Sequence, residues 1–192
     1  MFTLQNNLKF ININQDYLKY LHSACSEVYF KSSGYETKPY IGILVQENNF
    51  EYVIPLSSAK EKHRTWKNID TDRFLIYETC TYSETLKNGV YVKNSDNTYK
   101  HILSVMDLKK MIPIKKDLYS EVSLNPLPTD SEEEKKYKVL LNIEYSFCLK
   151  ILNSIIQKAS KLYEKQMSTG KIAKFCCDFK LLEQKCKVYK TN

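Results

Sequence analysis

The sequence predicts an α+β protein, a single domain spanning 1–192. β-rich runs fill the first two-thirds of the chain, helical periodicity fills the last third, and no internal repeat or low-complexity tract divides them. With 43% hydrophobic residues in 192, the chain can bury roughly 70% of its unfolded surface, which is enough for a sizeable core.

Leu8 to Ile13 alternates as a short strand, and Asn14 is placed to cap a helix from about Gln15. The apolar stripe of that helix is Tyr17, Leu18, Leu21 and Cys25. The polar stretch 27–39, with Ser32, Ser33, Gly34 and Pro39, reads as a surface loop. Tyr40 to Gln46 and Phe50 to Leu56 are β-rich and separated by Glu47, Asn48 and Asn49, which predicts a hairpin. Pro55 has no N–H for a ladder, so it is expected where that strand reaches an edge or ends, just before Ser57. Runs at 74–79, 89–93, 99–105 and 111–114 add strands, with Ser95, Asp96 and Asn97 as a further turn. Pro126 and Pro128 mark a connector, after which Ser131 followed by Glu132, Glu133 and Glu134 supplies a cap and an acidic first turn. Leu140, Leu141, Tyr145, Cys148, Leu152, Ile155 and Ile156 recur at helical spacing up to Gly170, as one long helix or as two with a break near Asn153. Asp178 caps a last short helix that reaches Tyr189.

Twenty-nine lysines and arginines against 22 acidic residues leave a formal charge of +7, which favours a polyanionic partner, nucleic acid or an anionic membrane surface. No apolar run approaches the ~18 residues of a membrane span, and the start MFTLQNNLKFININ lacks a signal-peptide pattern, so a cytoplasmic location is expected. Six cysteines form no CxxC pair and read as reduced thiols, mostly core filler. Only four glycines occur, and no GxGxxG or GxxxxGK loop is among them, which excludes those nucleotide sites. No clustered carboxylates accompany the candidate site, so neither metal nor cofactor is expected.

The densest group of reactive side chains is Pro55-Leu56-Ser57-Ser58-Ala59-Lys60-Glu61-Lys62-His63-Arg64. If the chain turns helical after Ser57, Ser58 is its N-cap, and the unpaired amides and positive dipole end there invite a phosphate, with Lys60 in the first turn beside it. A capped, solvated helix start is the ordinary alternative. The loop Tyr35-Glu36-Thr37-Lys38 directly precedes the hairpin's first strand, so in a suitable register Tyr35 and Lys38 join Ser57, Ser58 and Lys60 at one phosphodiester. A Ser-His hydrolase is disfavoured because the chain has no GxSxG elbow and no identifiable orienting aspartate. His22 and His101 read as structural.

The segments KFININQDYLKYL, YETKPYIGIL, YVIPLSSAKEKH, ILSVMDLKKMIPI and CDFKLLEQK cover nearly the full length. Together they resemble the ToxN/AbiQ family of type III toxin-antitoxin endoribonucleases. The resemblance implies a strongly twisted antiparallel sheet or small-barrel core of the Kid/MazF type with flanking helices. It implies metal-independent cleavage of target mRNA, with the RNA's own 2′-OH as nucleophile, leaving 2′,3′-cyclic phosphate and 5′-hydroxyl ends. It further implies a small repeated pseudoknot RNA antitoxin that the toxin processes and that inhibits it, a closed protein–RNA hetero-oligomer, and phage resistance by abortive infection. By position, the family's hydroxyl pair falls on Ser57 and Ser58, with Ser58 the principal serine, and its turn lysine falls on Lys60. The loop tyrosine and lysine fall on Tyr35 and Lys38, and Tyr17 contributes to the site. Lys62, His63 and Arg64 extend the RNA-binding side. Serine stands at 57 where the family has threonine, Ala59 stands where it has proline, and extra residues lie at about 79–97. The competing readings are a non-catalytic RNA-binding module using the same lysines and tyrosines, and a DNA-gyrase-directed or structural toxin on the same fold.

Overall fold

A computed structural model describes residues 2, 8–30, 40–42, 50–81 and 89–190. In chain order the elements are β1 (Lys9–Ile13), α1 (Gln15–Ala24), β2 (Tyr40–Gly42), β3 (Glu51–Ser58), β4 (Arg73–Cys80), β5 (Val90–Lys93), β6 (Tyr99–Asp107), β7 (Ile112–Ile114), β8 (Tyr119–Glu121), α2 (Glu132–Lys150), α3 (Leu152–Thr169) and α4 (Phe179–Val188). They fall into two compact units, Met1–Leu56 with Asp107–Val122 and Asn153–Asn192, and Ser57–Met106 with Ser123–Leu152.

In the first unit β1 lies between β2 and β8, with Ile11 opposite both Tyr40 and Glu121. β2 pairs β3 at Tyr40↔Pro55, as the predicted hairpin requires, and its turn at 43–49 lies outside the described residues. β7 pairs the start of β3, from Glu51↔Ile114 to Val53↔Ile112. In the second unit β5 pairs β6 from Val90↔Ile102 to Lys93↔Tyr99. All these ladders are antiparallel, so the α+β class holds. Among the described residues neither unit's strands close into a ring.

The predicted caps form as local chemistry dictates. Asn14 Oδ1 accepts from the N–H groups of Asp16 (2.9 Å) and Tyr17 (3.1 Å). Ser131 and Glu134 make a reciprocal capping box at the start of α2. Asp178 accepts from Leu181 N at 3.0 Å and opens α4. The long helical pattern resolves into two helices that break at Ile151, and α3 stops at Thr169 because Gly170 takes a left-handed φ of +67°. β8 escaped the sequence reading because Tyr119-Ser120-Glu121 offers no apolar run and buries no residue, unlike the equally short β7, Ile-Pro-Ile. Pro55 does not end its strand: β3 runs on through Ser58. The proline lies between the β7 ladder, which stops at Val53, and the contact of Ala59 N with Leu103 O at 3.3 Å.

The first unit's core is organised around a carboxylate. Glu183 on α4 is 8% exposed, and its Oε1 accepts from Tyr52 OH (2.8 Å) on β3 and Tyr163 OH (2.7 Å) on α3. The rings of Phe2, Tyr52, Tyr163 and Phe179 surround it with centroids 5.0–6.2 Å apart. Burial and the adjacent Glu183 push the Tyr52 phenol well above its ordinary pKa, so it remains a donor. Gln166 of α3 secures the approach to α4: its Nε2 donates to Cys177 O at 3.0 Å and its Oε1 accepts from Phe179 N at 2.7 Å. All six cysteines are free, and Cys148, Cys176, Cys177 and Cys186 are buried, as the filler reading expects. No single helix among the described residues is long and apolar enough to cross a membrane.

Two stability measurements follow from these contacts. Gln166→Ala strands a buried donor and a buried acceptor, and urea unfolding should show a loss of about 2–4 kcal/mol. Gly170→Ala meets no atom within 4 Å but must hold φ +67°, so its loss of about 1 kcal/mol should come from backbone strain alone.

Candidate active site at the β3 exit

Where β3 leaves its sheet the backbone stays extended. Ser57 is half-buried, Ser58 is exposed, and Lys60 has φ −136° and ψ 156°. The helical start expected at Ser58 is therefore absent. The next helical turn is a short 3-10 segment, Glu61–Thr65, with Lys60 at its cap position. Ala59 is the reason: its N–H bonds Leu103 O, and its methyl packs on the second unit's core of Leu75, Val90, Ile102 and Val105. In an extended chain residues i and i+2 project to one side. Ser58 and Lys60 thus share a face, with Ala59 turned inward between them. A helix would have placed them on different faces.

His63 locks the turn. It is 3% exposed, and its Nδ1 accepts from Lys60 N at 2.9 Å, which requires the neutral ring with its proton on Nε2. Burial first, then the charges of Lys62, Lys60 and Arg73, holds its pKa below the usual histidine value. The ring lies 4.5 Å from that of Trp66, which in turn carries the Arg73 guanidinium at 4.1 Å and the Lys62 ammonium at 5.5 Å. Asp70 Oδ2 accepts from Arg73 at 2.9 Å, and Glu61 pairs with Arg64 at 2.8 Å.

Ser57, Ser58, Lys60, Lys62 and Arg64 are thus gathered on one short turn, all but Ser57 exposed. His63 belongs to that turn as an internal pin and presents almost no surface. Tyr17 is 0% exposed, and its hydroxyl donates to Pro113 O at 2.8 Å, so in this conformation it too stands behind the surface. Tyr35 and Lys38 lie outside the described residues. Trp66 and Arg73, which the sequence reading passed over, hold the turn in place; the signal was available, since Trp66 is the chain's single tryptophan and lies three residues past His63. Among the described residues no group of three or more His, Cys, Asp or Glu side chains is arranged to hold a metal.

Comparison with known proteins agrees over almost the full length. The chain is 28% identical to Endoribonuclease ToxN of Bacillus thuringiensis subsp. kurstaki, covering 98% of this chain and 87% of that protein. It is 27% identical to Endoribonuclease AbiQ of Lactococcus lactis subsp. lactis, covering 97% and 91%. A solved structure concerned with selective toxin inhibition by a non-coding RNA pseudoknot in type III systems superposes with a TM-score of 0.66 at 26% identity, covering 95% of this chain and 97% of the other. Residues 9–187 match the family described as Toxin ToxN, type III toxin-antitoxin system. With 179 consecutive residues matched by the family and the fold shared with the solved toxin structure, the chain belongs to the ToxN toxin family of type III toxin-antitoxin systems.

Proposed function

We propose that this chain is a metal-independent endoribonuclease toxin, and that the β3 exit holds the scissile phosphodiester. The observation that carries the reading is the shared face of Ser58 and Lys60, exposed on a turn locked by His63, in a chain of the ToxN family. In the reaction the substrate's 2′-oxygen bonds to phosphorus and the P–O5′ bond breaks. Once the 2′-OH proton has left and the departing oxygen has gained one, the products are a 2′,3′-cyclic phosphate and a 5′-hydroxyl. The Lys60 ammonium compensates charge developing on the non-bridging oxygens, and the Ser58 hydroxyl, beside Ser57, hydrogen-bonds the same phosphate. Tyr35, Lys38 and Tyr17 complete this set on the strength of the resemblance, while His63 acts by positioning Lys60. Lys62 and Arg64 extend the cationic track along the RNA backbone.

The same surface takes target mRNA and, as inhibitor, a repeated pseudoknot RNA antitoxin that the toxin processes. Protein and RNA copies close into a hetero-oligomer in the cytoplasm, and the system gives phage resistance by abortive infection. Residues 1–192 act as one toxin domain, a reading supported by a chain that passes between the two units at 56/57, 106/107, 122/123 and 152/153. The antiparallel pairing supports kinship with the small-barrel toxins of the Kid/MazF type.

The test incubates purified protein with total RNA in excess EDTA and maps fragment ends. Wild type should leave cyclic phosphate and 5′-hydroxyl ends, and Ser58→Ala should slow cleavage on the order of 10²-fold or more. A folded, RNA-free wild type that binds RNA without cutting it would instead establish a binding module. For His63 the depressed pKa fixes the sign: the unfolded chain takes up a proton more readily, so its stabilising share is complete above about pH 6.5 and is lost as pH falls through the lower folded value. Urea midpoints at pH 7.5 and pH 5 should therefore fall less for His63→Gln than for wild type.

A further inference from the structure

Phe175 combines exposure with an unusual backbone conformation. It is 59% exposed, yet it sits at φ +63°, a left-handed conformation shared among described non-glycine residues only with Asn97. Asparagine tolerates that region readily, whereas an aromatic side chain there is an outlier costing about 1–2 kcal/mol. The fold holds it in place. Cys176 N bonds Ala173 O at 3.0 Å, Cys177 N bonds Lys109 O at 2.8 Å, and Gln166 clamps Cys177 and Phe179. Cys176 and Cys177 are buried, so the chain plunges inward directly after Phe175 and leaves its ring outside.

The sequence around the ring is cationic. Residues 170–175 read Gly-Lys-Ile-Ala-Lys-Phe, without an acidic group, and Lys171 and Lys174 are both exposed. The Lys174 ammonium lies 4.9 Å from the Phe175 ring centroid, and Ile172 beside them is 49% exposed. The nearest carboxylates in sequence and pairing are engaged in capping: Asp178 accepts from Leu181 N, and Asp107 accepts from Lys109 N. An exposed aromatic ring flanked by flexible ammonium groups is the combination that takes a nucleotide, the ring stacking on the base and the lysines meeting the phosphates on either side. The exposed rim alternates Lys171 and Lys174 with Ile172 and Ala173, and the two lysines favour a phosphate-bearing partner over an uncharged one.

We propose that Phe175, with Lys171 and Lys174, is a stacking platform for an unpaired base of bound RNA, built from none of the residues of the serine-lysine turn. It rests on the reading of the chain as a protein that acts on RNA. The Lys174 ammonium moves from the ring to a phosphate as the base takes its place, and the left-handed backbone is the cost of holding the ring in solvent.

The experiment measures binding of a fluorescein-labelled 2′-O-methyl oligoadenylate of about a dozen nucleotides, which lacks the attacking hydroxyl and is not cut. Phe175→Gly removes the ring and suits the positive φ, so its melting temperature should equal or exceed that of wild type while its affinity falls about 5–100-fold. Phe175→Trp should restore affinity, and Phe175→Asn, which also tolerates the backbone, should bind as weakly as Phe175→Gly. On an abasic strand of equal charge, wild type and Phe175→Gly should bind alike. Lys174→Ala should lower the magnitude of the salt slope by about 0.7, and Phe175→Gly should leave it unchanged. Equal affinity of Phe175→Gly and wild type for oligoadenylate overturns the platform while leaving the endoribonuclease reading intact. So does an unchanged affinity accompanied by altered self-association of the RNA-free protein, which would make the ring a protein contact. A wild type that binds no oligonucleotide overturns both.

Discussion

The first unit depends on a carboxylate that the core cannot leave unpartnered. Glu183 is nearly out of water, where an unpaired carboxylate is costly, and the two phenols that reach it come from β3 and α3. One oxygen atom therefore fixes a strand against two helices. The aromatic rings that deliver those hydroxyls also fill the space around them, so packing and hydrogen bonding impose the same arrangement. Gln166, the cap at Asp178 and the course of residues 170–178 are consequences, because α4 must present Glu183 to that box.

The β3 exit follows a comparable logic in the second unit with a different device. Ala59 is drawn inward by a backbone bond and a small core contact, which leaves its neighbours Ser58 and Lys60 facing out together. His63 then closes the turn with its ring acting as an acceptor. A histidine in this state is a poor candidate for proton transfer in this conformation, since one nitrogen is occupied and the ring is buried. Its value lies in the geometry it imposes on Lys60. Trp66 serves the same end, held between the core on one side and the charges of Arg73 and Lys62 on the other.

A net charge of +7 suits an RNA partner, but placement gives that charge its use. At the β3 exit the cations accompany hydroxyls, the pairing that phosphoryl chemistry needs. At 170–175 they accompany an aromatic ring, the pairing that base stacking needs.

Local chemistry was legible in the chain itself. Asn14, Ser131 and Asp178 announce helix starts, Gly170 announces a stop, and the spacing of Tyr40 and Pro55 around Asn48 and Asn49 announces a hairpin, because each depends on neighbours within a few residues. The serine-lysine turn was likewise visible as composition, and the resemblance to ToxN/AbiQ rested on ordered segments that need no coordinates. Tertiary structure alone decided whether Ser58 begins a helix or ends a strand, since that turns on a bond from Ala59 to Leu103, 44 residues away in sequence. It alone decided that His63 and Tyr17 face inward and that Phe175 faces out. Burial is a property of what packs against a residue, and long-range neighbours are not encoded in local spacing.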